Sequence, residues 1–169
     1  MGINDRFLQD SSTLQFNKPV VPMIVYQSAE TVTEGDAATE YVASVVVPQG
    51  SFPPGSTFKV TMAGTKTGTN GTLTVALYCN STAVLSIDAD ADTAVDWMAT
   101  LYMVQVSPKV QRCFGQLFTL TEDPRIDYAT AAIDLSGEFT FRAAMANEHA
   151  SDEITCDVCI IEFWQKSDD

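Results

Sequence analysis

Between Gly55 and Val106 apolar and polar residues alternate with a period of two, and no other feature constrains the fold as strongly. In STFKVTMAG, Phe58, Val60 and Met62 alternate with Thr57, Lys59 and Thr61. In GTLTVALYCN, Leu73, Val75, Leu77 and Cys79 alternate with Thr72, Thr74 and Tyr78. Successive side chains of a strand point to opposite faces, so this is the pattern of a half-buried strand. A TKTGTNG turn separates the two, and TAVLSI, an acidic loop and TAVDWMATLYMVQV follow as further strands. No stretch of similar length carries apolar residues at helical spacing.

Strands are expected on both sides of this segment. MIVYQSA, a polar turn and EYVASVVVP precede it, and the Pro- and Gly-rich PQGSFPPG marks a surface crossing between sheets. Tyr41, Ala43, Val45 and Val47 share one face of EYVASVVVP, yet Val42 and Val46 make the other face apolar too. The terminal strand ITCDVCIIEFWQ is apolar on both faces at Ile160, Ile161, Phe163 and Trp164, which suits a central position. Such two-sided strands need a second cover, so Val42, Val46, Ile161 and Phe163 are candidate subunit-interface residues. KVQRCFGQLFTLTE puts Val110, Arg112, Phe114, Gln116, Phe118 and Leu120 on one side, with Gly115 marking a bulge or a close approach. RIDYATAAIDLSGEFTFRAAMAN gives two strands expected to form a hairpin about Ser136-Gly137. About ten strands with short connections define an all-β, jelly-roll-like antiparallel sandwich. One domain is expected over 22–169, preceded by an arm over 1–21 in which Phe7, Leu8, Leu14 and Phe16 are candidate attachment residues.

Length and charge bound the partners. A chain of 169 residues is long enough to bury roughly 70% of its unfolded surface in one core. Its 46% hydrophobic content excludes disorder, and no apolar run approaches the roughly 18 residues of a spanning helix. The opening MGINDRFLQDSS fits neither a secretory signal nor a myristoylation site, so a soluble protein with reduced thiols is expected. The formal charge of −13, from 22 acidic and 9 basic residues, repels polyanions and makes nucleic acid an unfavourable partner. The same repulsion keeps copies crowded on one surface from aggregating.

The motifs that carry chemistry elsewhere stand in the wrong context here. Cys156 and Cys159 spell C-x-x-C, but positions three apart on a strand face opposite ways, whereas zinc needs convergent sulfurs. Cys79, Cys113, Cys156 and Cys159 all lie inside apolar strand patterns and are expected to be buried, unpaired thiols. Asp88, Asp90 and Asp92 open like a calcium loop, but Thr93 stands where glycine is needed and Ala99 where a bidentate Glu belongs. A solvated acidic loop is the simpler expectation. The sequons at Asn70 and Asn80 read as turn residues. His149 lies in the polar NEHASDE with no nucleophile motif near it, so no catalytic residue, metal ligand or cofactor is assigned and a non-enzyme is expected. Tyr78, Trp97, Tyr102 and Tyr128 offer either a sugar-stacking platform or packing contacts, and packing is the commoner fate.

The series FPPGSTFKVTMAGTKTGTNGTLTVALYCNSTAVLSI, followed by VDWMATLYMVQV, resembles the jelly-roll domains of tailed-bacteriophage virion proteins. The resemblance is a succession of strands and turns over residues 40–164. It implies a structural protein, made in the bacterial host cytoplasm and carried on the capsid surface of the virion. With a short arm and no stalk, the chain looks like a homotrimeric decoration, or cement, protein that stabilises the lattice of a major capsid protein. A receptor- or glycan-binding module of a head or tail fibre is the alternative. Neither nucleic acid nor membrane is an expected partner.

Overall fold

The computed structural model describes residues 22–29, 32–34, 38–68, 71–90, 94–149 and 151–166. Every regular element among them is a strand: β1 (Met23–Ser28), β2 (Val32–Glu34), β3 (Thr39–Val47), β4 (Thr57–Thr67), β5 (Thr72–Cys79), β6 (Thr82–Asp90), β7 (Val95–Ser107), β8 (Val110–Thr119), β9 (Arg125–Ala131), β10 (Phe139–Asn147), β11 (Glu153–Cys156) and β12 (Val158–Trp164). They form two antiparallel sheets packed as a sandwich. The large sheet runs β1-β12-β4-β7-β8-β9, with β11 pairing both β4 and β2 at one end; the small sheet runs β3-β10-β5-β6. The strands β1-β12-β4-β7 of the large sheet and the four of the small one follow the interleaved order of a jelly roll. β8 and β9 are an addition, inserted between β7 and β10, that widens the large sheet. The first and last of these strands pair and, as expected, the last strand is internal.

The period of two is realised as burial. Leu73, Val75, Leu77 and Cys79 are fully enclosed between the sheets, as are Val60 and Met62, with Phe58 almost so. Phe58 stacks on Phe141 at 4.4 Å and on Phe163 at 4.8 Å, while Phe52, from the Pro-rich crossing, closes the cluster against Phe58 and Phe139. Each such ring removed from water contributes roughly 1.5–3 kcal/mol, which is why the crossing is anchored rather than loose. Gly115 marks a close approach rather than a bulge. The β7–β8 and β8–β9 registers run through it without a shift, and a Cβ there would lie 2.5 Å from Leu101 Cδ2.

Several expectations change. Ser136-Gly137 does not join a hairpin: β9 pairs β8 in the large sheet, and β10 lies between β3 and β5 in the small one. The connection crosses the end of the sandwich, sinking Leu135 into the core. Buried Gln111 holds it there, donating to the carbonyl of Ile133 at 3.0 Å and accepting from the Ile133 N–H at 3.2 Å. The acidic DADAD is no loop at its start, since Asp88 and Asp90 belong to β6. The terminal strand is interrupted at Asp157, whose N–H bonds the Ala63 carbonyl, so Cys156 and Cys159 both turn inward rather than to opposite faces.

The two-sided strands are covered from within. Val42 is the extra residue of a bulge against β10, which sends both Val42 and Ala43 into the core and turns Tyr41 out. Ile161 and Phe163 are core residues of β12. Of the four interface candidates only Val46 is exposed, on the outer face of the small sheet. Val42, Ile161 and Phe163 are buried in the chain's own core and present no surface to a neighbour. Phe7, Leu8, Leu14 and Phe16 lie outside the described residues.

Candidate functional site on the outer face of the large sheet

Strands β7 and β8 bury one alternating set of side chains and turn the other outward, the edge strand β9 is exposed or half-buried throughout, and the outward set gathers Met98, Tyr102, Phe114, Phe118, Ile126 and Tyr128. Phe114 pairs across the ladder with Tyr102 on one side and Tyr128 on the other. Along the strands, Met98 pairs with Phe118, and Gln116 sits between Thr100 and Ile126. Tyr128 is 80% exposed and Ile126 76%, while Met98 and Phe114 are each nearly half exposed. A groove of about 310 Å³ runs between β8 and β9, bordered by Arg112, Phe114, Tyr128 and Thr130. An exposed apolar surface of this kind with a polar rim marks a contact site.

Charge singles out the same surface. From Met98 to Val104, from Arg112 to Phe118 and from Ile126 to Thr130, no residue of the Met98, Phe114 and Tyr128 phase carries a carboxylate; the exposed Asp96 and Asp127 lie at the margin of this surface. On the neighbouring strands the face becomes polar. There Lys59 donates to Glu162 at 2.7 Å, and this hydrogen bond holds the Lys59 ammonium above its ordinary pKa. One register row runs across the whole sheet as Ile24, Glu162, Lys59, Tyr102, Phe114 and Tyr128.

The four aromatics of the sugar-platform reading do not converge. Trp97 is core, and Tyr78 lies on the opposite side of the molecule, edge-on to Tyr41 at 5.4 Å. Tyr102 and Tyr128 share the large face, but Tyr102 stacks on Phe114 at 4.6 Å with 11° between planes. Rings stacked on each other give their faces to one another and leave edges for a partner, which suits packing better than sugar stacking.

The remaining candidates are placed as follows. All four cysteines are unpaired and buried. Burial pushes the thiols of Cys79, Cys113 and Cys159 up to about 12 and that of Cys156 to about 11, far from the thiolate that redox and metal chemistry use. Asp88 accepts a hydrogen bond from Thr74 at 2.8 Å, and Asp90 lies 3.6 Å from Arg125. Asp92 is outside the described residues, and among those described no three metal-ligating side chains cluster. The acidic loop around His149 is not wholly solvated. Asp152 is buried and meets the buried Lys66 ammonium at 2.8 Å, which lowers the Asp152 pKa. Sequence reading missed this pair, because the outer Lys59 and the inner Lys66 occupy one strand and only the phase tells them apart.

No family model matches the chain, and no curated protein matches its sequence. Among solved structures it is similar to the CBM2 module of the evolved Dit of Lactobacillus casei BL23 phage J-1, at 12% identity and a TM-score of 0.41, over 75% of this chain and 70% of that one. It is also similar to the alginate lyase from Klebsiella pneumoniae, at 8% identity and a TM-score of 0.36, over 71% and 66% respectively. Similarity at this level leaves the chemistry of the chain to be read from its own surface.

Proposed function

We propose that the protein is a structural component of a tailed-bacteriophage virion: a trimeric decoration protein that binds the major capsid protein lattice and works by binding rather than catalysis. The observation that carries this reading is the set of exposed apolar side chains, Met98, Phe114, Ile126 and Tyr128, gathered on the outer face of β7, β8 and β9, a surface suited to contact with protein. The resemblance over residues 40–164 supplies the virion context. A protein that binds the expanded lattice and not its precursor stabilises the expanded state by mass action, by about 2.7 kcal/mol at a free concentration one hundred times the dissociation constant. Residues 1–21 are the proposed tether to the lattice.

A second reading, a fibre module that binds glycans, has one observation in its favour. On the outer face of the small sheet, Tyr41 lies under the Arg142 guanidinium at 4.7 Å and beside Tyr78, among hydroxyl-bearing residues that suit a polar ligand. Sedimentation separates the two. Association with emptied capsids selects decoration; association with host envelopes and not with capsids selects the fibre module.

A further inference from the structure

We propose that the outer face of the small sheet is a second binding site, selective for neutral glycans, which the chain can use while its large face is occupied. This rests on the reading of that face as a ligand surface, and it makes the two functions compatible rather than alternative. Arg142 carries it. It is the one basic residue on β3, β5, β6 and β10, and among the described residues it forms no ion pair. Two contacts hold its guanidinium instead: one N–H donates to the Asn80 carbonyl, and the group lies 4.7 Å from the centre of the Tyr41 ring. The Asn80 turn is itself pinned to β10, its side chain accepting from the Thr140 N–H at 3.0 Å and its own N–H donating to the Thr140 carbonyl at 2.7 Å. A guanidinium positioned in this way, with N–H groups left to donate, is a pre-organised donor for a ligand.

What surrounds Arg142 selects the ligand. Ser44 and Tyr78 flank it in register, and the next outward row adds Tyr41 and Ser86. The two tyrosines meet edge-on, with 90° between planes. Unlike the stacked Tyr102 and Phe114, such a pair leaves the ring that gives its edge with both faces clear of its partner. A sugar offers the complement: an apolar C–H surface for a ring, and hydroxyls that both donate and accept. The exposed carboxylates on these strands, Glu40, Asp88 and Asp90, accept from hydroxyls but repel an acidic sugar, as does the formal charge of −13. Neutral glycans therefore fit where uronates and sialates do not. The large face lies on the other side of the sandwich, so a chain seated through β7, β8 and β9 turns this site outward.

An array of neutral hexose and N-acetylhexosamine oligosaccharides, printed beside uronate- and sialate-bearing ones, tests the site with the full chain. Binding to neutral members alone is expected. Arg142→Gln should weaken it by about tenfold or more, the usual scale for hydrogen bonds from a charged donor. Ser44→Glu, at an exposed position that folding does not depend on, should do the same by giving the guanidinium an internal carboxylate partner. Phe114→Glu/Tyr128→Glu, on the far side of the sandwich, should leave glycan binding unchanged. Failure to bind any neutral member, or equal or better binding to acidic ones, overturns the proposal. Binding that is lost in Phe114→Glu/Tyr128→Glu and kept in Ser44→Glu overturns it as well. Sedimentation with emptied capsids keeps the two readings apart: Ser44→Glu is expected to sediment as the unmodified protein does, whereas an unmodified chain that binds neutral glycans and ignores capsids retains this site and loses the decoration role.

Discussion

The two outer faces of the sandwich are built from the same alternation and turn out opposite in character. On the large sheet the outward set from Met98 to Val104, Arg112 to Phe118 and Ile126 to Thr130 is rich in exposed apolar and aromatic residues, with Asp96 at its margin. On the small sheet the outward set includes Ser44, Thr74, Ser86, Asp88 and Asp90, and its apolar centre is sealed from within. Ala76 and Ala144 lie at that centre yet are buried, with Tyr41, Tyr78 and Arg142 beside them on the same face. The centre of one face is covered by its neighbours, whereas Ile126 and Tyr128 on the other stand exposed. The inner faces must pack to fold the chain, so they tell little about function; the outward set is under no such demand, and its composition records what the molecule touches.

A single carboxylate should separate the two faces most sharply. Gln116→Glu places a charge at the centre of the large face with almost no change in volume. If that face is buried in assembly, the unpaired charge should weaken association by about 100-fold or more, corresponding to the several kcal/mol that such burial costs. Ser44→Glu, the same charge on the small face, should leave association unchanged. Equal effects, measured by sedimentation equilibrium, would erase the distinction between the faces.

Next in size is the pair that closes one end of the sandwich beneath both faces. Lys66→Met leaves Asp152 buried without its cation and should lower the melting temperature by about 10 °C, as expected for breaking a buried pair in a domain of this size. The pH dependence has a definite sign. The folded pKa of Asp152 lies below its unfolded value, chiefly through the Lys66 hydrogen bond, so its stabilisation is present above about pH 4 and is lost as pH falls through the folded pKa. Thermal melts from pH 2 to 6 should show an acid limb that Lys66→Met flattens. Gly68 belongs to the same device. Its φ is +101°, and a Cβ there would collide with the Asp152 carboxylate, so Gly68→Ala should reproduce part of the loss.

Much of this architecture was legible and some of it was not, for physical reasons. The alternation of β4 and β5 showed both the strands and their buried members, because one phase is apolar and the other is threonine-rich. In β8 the phase of Arg112, Phe114, Gln116 and Phe118 was legible, but the apolar residues are split between phases. Only the tertiary structure shows that Cys113, Gly115 and Leu117 go inward and that the phenylalanines face out. For the same reason Val42, Ile161 and Phe163 read as interface candidates beside Val46 although they are core: an apolar residue on a two-sided strand carries no mark of which side is the core. The bulge at Val42 and the break at Asp157 each shift the phase by local hydrogen bonding that periodicity does not encode. The false hairpin at Ser136-Gly137 has the same origin, since a turn signal says nothing about whether the chain returns to the same sheet.

A smaller effect belongs to the self-covered face. Tyr41→Ala removes the ring that meets Tyr78 edge-on and the surface on which Arg142 lies, and should cost about 1–2 kcal/mol in denaturant unfolding while leaving association unchanged. A change in association would mean that the small face also takes part in assembly.

The smallest expected effect carries the finest information about where the large face ends. Lys59 and Glu162 form a partly exposed pair on the polar side of that face, and exposed pairs contribute about 0.2–1 kcal/mol. In a Phe114→Glu/Tyr128→Glu variant, whose two exposed charges oppose burial of the large face, Glu162→Gln should therefore cost only about a few tenths of a kcal/mol. The folded pKa of Lys59 is raised, first by the hydrogen bond to Glu162, so the contribution of the pair is complete below about pH 10.5 and is lost only as pH rises through the folded value. In the assembled protein the outcome depends on what lies over β4 and β12. A neighbouring molecule that reaches them excludes water from the pair, and removing one partner then leaves Lys59 uncompensated in a drier place, at a cost several times larger than in the unassembled chain. Equal costs in the two backgrounds would set the boundary of the contact at β7; a larger cost on assembly would extend it to β12.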